Sequence, residues 1–182
     1  MNDDRMEELP EIREPTTARD IISIIPSVFD PLGILEPLIA TLRRNFSKLW
    51  KLHPKWDLIL NENDVKEINK IINILKTTEF QIDRQVFDEA NSIKVLHILT
   101  DASNTAIGFV SYAGNINQHV YKIRFAKSIL HKKGTIPEAE LEAILLAANW
   151  IHKIIIEDFE QVIVWTDSLL NYHKMQSFFY MI

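Results

Sequence analysis

Val95-Leu96-His97-Ile98-Leu99-Thr100-Asp101-Ala102-Ser103 and, later in the chain, Val162-Ile163-Val164-Trp165-Thr166-Asp167-Ser168 share one pattern, an apolar run ending in Thr-Asp with a Ser close behind. Short apolar runs rich in branched residues and bounded by polar ones read as buried strands. Each strand would then carry a carboxylate at its C-terminal end. Strand-like stretches also run from Ala106 to Tyr112 and from Val120 to Ala126, and a helix is expected from Glu138 to Ile154. The short links between the first three strands predict an antiparallel meander, whereas the long helix before the fourth predicts a crossover to a parallel partner. If the strands ending at Thr100 and Thr166 are parallel neighbours, Asp101 and Asp167 reach the same sheet edge, where open α/β sheets place ligands. From Ser168 to about Phe178 the chain reads as helix.

Upstream, the polar stretch from Asp83 to Asn91 separates this strand-like period from a helical one. Thr16-Thr17-Ala18-Arg19-Asp20 can start a short helix ending before Pro26. Phe29-Asp30-Pro31-Leu32-Gly33 reads as a turn, since Pro fixes φ and Gly tolerates a positive φ. A helix is expected from about Leu35 to Leu52, with Pro37 in its first turn, followed by a turn at Trp56-Asp57. Asp64 and Glu67 look like an N-cap pair, and Val65, Ile68, Ile71, Ile72 and Leu75 give the next helix an apolar stripe. The expected organisation is a flexible acidic lead-in over 1–14, a helical segment over 15–85 and a second domain over 92–182. The fold class is mixed, α+β / α/β.

The composition, 47% hydrophobic and 25% charged over 182 residues, excludes a disordered chain. Apolar runs fall far short of the roughly 18 residues of a membrane span, so no membrane partner is expected. The start, Met-Asn-Asp-Asp-Arg-Met-Glu-Glu, lacks the features of a secretory signal. With no cysteine there is neither a disulfide framework nor a thiolate metal site, and an intracellular, cytoplasmic setting is expected. A net charge of -5 opposes general attraction to phosphates, so any nucleic-acid contact must be local. Arg43, Arg44, Lys48 and Lys51 form one basic cluster, and Lys122, Arg124, Lys127, Lys132 and Lys133 another. Charge alone favours solvated faces for both. Arg44, Lys48 and Lys51 share one helix face by spacing and, with Lys127, are the candidate phosphate contacts.

Glu140 is the sharper signal. At about 100° per residue, Ile144, Ala147, Ala148, Ile151 and Ile155 fall in one apolar sector with Glu140, while Glu138 and Glu142 point roughly the other way. An acid at the edge of a buried face is costly unless a cation, proton or donor compensates it. Asp101, Glu140 and Asp167 together, without Cys or His, suit a hard cation such as Mg²⁺ or Mn²⁺. In a two-metal site such ions activate water and stabilise the leaving oxygen of a phosphodiester. The plainer reading of each Asp is a cap for the segment that follows it. His97, His119, His131, His152 and His173 are scattered and fit core or surface roles. Trp50 and Trp56 can stack on bases, but aromatics at a helix end and a turn more often pack into a core.

Thr100-Asp101-Ala102-Ser103, Ala139-Glu140-Leu141 and Thr166-Asp167-Ser168 resemble, in order, the first three acidic motifs of the ribonuclease H family. With Phe29-Asp30-Pro31-Leu32-Gly33, Trp56-Asp57, Ala126-Lys127-Ser128 and Ile136-Pro137-Glu138 added, the chain from Arg13 to His173 resembles BEL/Pao-class LTR retrotransposon polyproteins. The resemblance implies a reverse transcriptase thumb/connection-like segment followed by the N-terminal part of a ribonuclease H-like domain. It implies Asp101, Glu140 and Asp167 as metal ligands and catalytic acids acting on the RNA strand of RNA/DNA hybrids. The implied partners are the hybrid and the remainder of the pol polyprotein. The family's fourth acid would fall beyond Ile182, so this chain alone is expected to be a weak or inactive endonuclease. Such sequences also carry a Pao retrotransposon peptidase label. An aspartic peptidase needs Asp-Thr-Gly or Asp-Ser-Gly, and Asp167-Ser168-Leu169 lacks the Gly. A decayed or domesticated, non-catalytic interaction module is the remaining alternative.

Overall fold

The computed structural model describes residues 14–79, 94–115, 120–131, 134–153 and 159–179, and divides into two units. One comprises Met1–Pro31 and Pro37–Phe80, the other Leu32–Glu36 and Gln81–Ile182. The expected lead-in, apart from Glu14, and the expected linker from Asp83 to Asn91 lie outside the described residues.

The first unit holds α1 (Ala18–Ser27), nearly all of α2 (Glu36–Leu52) and α3 (Glu62–Thr77). Helix α1 starts in a capping box: Thr17 Oγ1 accepts from the Asp20 amide, and the Asp20 carboxylate accepts from the Thr17 amide at 2.8 Å. It does not stop before Pro26, as expected, but includes it. A proline in the last turn forfeits one hydrogen bond at an end that is already fraying. The cap of α3 is Asn61, whose Oδ1 accepts from the Asp64 amide at 2.9 Å, and not the expected Asp64. The expected stripe is present, with Ile68, Ile71, Ile72 and Leu75 buried. Trp50 and Trp56 each stack on Phe46 and meet each other at a tilt, with ring centroids 4.4 to 6.1 Å apart.

In the second unit, β1 (Lys94–Ala102), β2 (Ala106–Asn115), β3 (Val120–Leu130) and β4 (Gln161–Trp165) form one sheet in the order β3-β2-β1-β4. The first three are an antiparallel meander; β4 runs parallel to β1, with Leu99 opposite Trp165. Helix α4 (Ile136–Ile151) makes the crossover, and α5 (Leu169–Phe179) follows β4. Each of the first three strands runs beyond its expected end, because ladder pairing continues through Gly114 and Ser128, residues whose types carry no strand signal.

Helix α4 covers one sheet face. Leu96, Ile98, Phe109 and Ala113 pack with its Ala147, and Ala102 and Ile107 with its Ala139 and Ala143. Of the expected apolar sector Ile144 and Ala147 are buried and Ile151 is half-buried, with Ala139 and Ala143 buried beside them; Ala148, expected inside, is exposed, and Ile155 lies outside the described residues.

The free edge of β3 is covered by Leu32–Glu36. The Ala126 amide donates to the Leu32 carbonyl at 2.7 Å, and the Ser128 amide and hydroxyl donate to the Glu36 carboxylate at 3.3 and 2.8 Å. Gly33 adopts the expected positive φ, 73°. An edge strand's unpaired amides invite pairing with other chains, and this strap occupies two of them.

Two caps also set a pH response. Burial alone would raise the Asp20 carboxyl, but hydrogen bonds from Thr16 and Thr17 outweigh it and hold it below the usual carboxylate range. The backbone and hydroxyl of Thr135 lower Glu138 in the same way. A depressed folded-state value contributes stability above the unfolded value of about 4 and loses it as pH falls through the folded one. Melting temperature should therefore fall below about pH 4, and Asp20→Asn should flatten that slope for the first unit. An unchanged slope in the variant would remove Asp20 from the account.

Candidate functional site

Asp101 lies within β1 and not beyond its end, opposite Gly108 of β2. Side chains alternate along a strand, and Thr100 and Ala102 face α4, so Asp101 falls on the opposite face with His97 and Leu99. Asp167 lies two residues past Trp165, as Asp101 lies two past its partner Leu99, so both acids occupy the same end of adjacent parallel strands. Both are exposed. Glu140 is half-buried on α4.

The capping duties on which the plain reading of these acids rests are performed by their neighbours. Ser103 Oγ accepts from the Thr105 and Ala106 amides at 3.3 and 3.1 Å and closes the β1–β2 turn. Ser168 Oγ accepts from the Asn171 amide at 3.4 Å and caps α5. Asp101 accepts only from the adjacent Ala102 amide, and Asp167 and Glu140 have no hydrogen bond or ion pair among the described residues. By contrast, Glu138 is spent on Thr135 at 2.7 Å, and Glu142 faces the His131 ring at 3.2 Å. Among the described residues these three carboxylates are thus without a cation, and Glu140 is half-buried.

The three are not gathered into a cage. Among the described residues, no group of three His, Cys, Asp or Glu side chains is close enough to hold a metal ion. The register brings Asp101 and Asp167 to one sheet end, while Glu140 sits on the helix across the opposite face. Asp101 and Asp167 offer carboxylate oxygens alone, the donor type that hard divalent cations take.

Of the basic candidates, Arg44, Lys48 and Lys51 are exposed on α2, and Lys127 is exposed on β3. His97 is half-buried and has a packing role: its Nδ1 accepts from Trp165 Nε1 at 3.0 Å, and Tyr121 meets it edge-on. Sequence reasoning missed Asn171, which is fully buried and donates through Nδ2 to the Pro137 carbonyl and to Ser168 Oγ, both at 2.9 Å. Its position one helical turn after Asp167 was the only available signal.

A meander, a crossover helix and a parallel fourth strand, with acids at the ends of β1 and β4, define a ribonuclease H-like domain. The family described as Pao retrotransposon-like RNaseH-like domain matches residues 17–168, and the chain belongs to it. Three solved structures share the fold at low identity. A foamy viral protease-reverse transcriptase dRH in complex with double-stranded DNA is 16% identical, with a TM-score of 0.57 over 91% of this chain and 28% of that one. The foamy viral protease-reverse transcriptase in complex with RNA/DNA hybrid gives 15%, 0.56, 91% and 22%. Its complex with double-stranded DNA gives 14%, 0.52, 91% and 33%. The chain thus spans a third or less of the structures it matches. No curated protein matches it. Among the described residues no helix is long and apolar enough to cross a membrane.

Proposed function

We propose that this chain is the part of a retrotransposon pol polyprotein in which a thumb/connection-like helical segment precedes a ribonuclease H-like domain. In the parent protein the domain cleaves the RNA strand of an RNA/DNA hybrid with Mg²⁺ or Mn²⁺. The observation that supports it is the pair of exposed carboxylates, Asp101 and Asp167, at one end of parallel neighbours, relieved of capping by Ser103 and Ser168. When bound, the cation supplies charge neutralisation at a phosphodiester and an acidified water. Asp101 and Asp167 would hold it at the sheet end, and Glu140, half-buried and without a cation among the described residues, is the third carboxylate it would compensate. Exposed Arg44, Lys48, Lys51 and Lys127 meet backbone phosphates.

A Mn²⁺ titration of the chain, read by electron paramagnetic resonance, tests this. Asp101→Asn and Asp167→Asn should each weaken binding by about tenfold or more, and Glu142→Gln should not. Equal affinities in all four proteins would remove the metal site.

A further inference from the structure

The three acids ride on different elements, so some contact must hold those elements in register, and a set of part-buried and buried hydrogen bonds lies beside all three. Thr100, beside Asp101, donates from Oγ1 to the Trp165 carbonyl at 3.1 Å, joining β1 to the end of β4. Thr166 Oγ1, beside Asp167, accepts from the Ser168 amide at 3.2 Å and shapes the bend into α5. Ser168 Oγ accepts from Asn171 Nδ2 at 2.9 Å, and the same amide nitrogen donates to the Pro137 carbonyl in the first turn of α4. Pro137 lies three residues before Glu140, on the same turn of helix.

We propose that Asn171 is a positioning residue for the metal site: its carboxamide ties the first turn of α4 to the β4–α5 bend and so sets the distance between Glu140 and Asp167. The inference rests on the metal-site reading above. A carboxamide suits the task because its two N–H groups serve two acceptors at once, where a hydroxyl has a single proton. Packing of Ala139 on Ile107 also holds the first turn of α4 to the sheet, but among the described residues it does not reach the β4–α5 bend. The N-terminus of α4 is covered by its own capping box, which is local, and Ser168 alone does not reach Pro137 in any described contact. Asn171 is fully buried and its Oδ1 has no partner among the described residues, so the residue is retained at a cost in unsatisfied polarity. A purely apolar contact would avoid that cost.

The test compares Mn²⁺ affinity and thermal melting in the full chain, with Asn171→Ala, Ser168→Ala, Asp101→Asn and the core variant Ile98→Val. Asn171→Ala should weaken Mn²⁺ binding by about tenfold, the lower end of what partners orienting metal ligands contribute. Ile98→Val should lower the melting temperature and leave the affinity unchanged, which separates positioning from stability. Ser168→Ala removes the same link with a smaller change of shape, and stands in if Asn171→Ala does not fold. Unaltered affinity in the folded link variant, alongside a weakened Asp101→Asn, overturns the role of Asn171 and leaves the metal site standing. An affinity that Asp101→Asn does not change overturns the site reading and this inference with it.

Discussion

Gly33→Ala is expected to lower the melting temperature of the second unit by roughly 10–30 °C, taking about 4–8 °C per kcal/mol for a domain of this size and about 2–4 kcal/mol for loss of the strap. A Cβ at this position would stand 1.9 Å from the Ala126 carbonyl oxygen and 2.7 Å from its carbon. Both are backbone atoms of a paired strand, so no rotamer change relieves the overlap. The φ of 73° adds a penalty of roughly 1–2 kcal/mol for a residue with a side chain. Release of the strap would give up the Leu32–Ala126 hydrogen bond and the Glu36–Ser128 pair, together about 2–4 kcal/mol by typical net values for neutral and charge-assisted bonds. Calorimetry or circular dichroism measures the loss, and amide exchange locates it. The Ala126 and Ser128 amides should exchange slowly in the parent and quickly in the variant. A melting shift of only a few degrees, with both amides still protected, would show that the strap does not hold β3.

In a longer polyprotein containing this chain, Asp101→Asn and Asp167→Asn are each expected to lower cleavage of the RNA strand by about a thousandfold. Metal-borne charge stabilisation is worth several kcal/mol at the transition state, and each 1.36 kcal/mol is tenfold in rate. Glu140→Gln should fall with them, because Glu140 is half-buried and has no other partner among the described residues. Glu142→Gln should retain full activity, since Glu142 is exposed and occupied with His131. The two glutamates sit two residues apart on one helix, so they share local propensity and charge and differ in direction, burial and partner. Equal losses in both variants would mean that the carboxylates act through general charge and not as ligands.

The sequence by itself determined which segments are strands and helices and how the fourth strand is joined. Apolar runs, capping residues and link lengths act over a few residues and need no knowledge of the rest of the fold. The parallel pairing of β1 with β4 followed from the long crossover, and the positive φ of Gly33 from the turn around Pro31. Asp101, Glu140 and Asp167 were legible as candidate residues because acids ending apolar runs, or bordering an apolar helix face, stand out against their surroundings. The rest depended on contacts between distant parts of the chain. That Asp101 faces away from α4 is set by which side of the sheet the helix covers, and a strand's alternation does not say which side that is. That α4 buries Ala139 and Ala143 beside the expected Ile144 and Ala147, and leaves Ala148 exposed, is decided by how the helix is turned on the sheet, which a helical wheel fixes only to within a broad sector. The docking of Leu32–Glu36 on Ala126 and Ser128, and the bridge from Asn171 to Pro137, are hydrogen bonds to backbone groups. Every residue but proline offers the same backbone donor and acceptor, so partners of that kind leave no mark in the sequence, and the tertiary structure alone selects them.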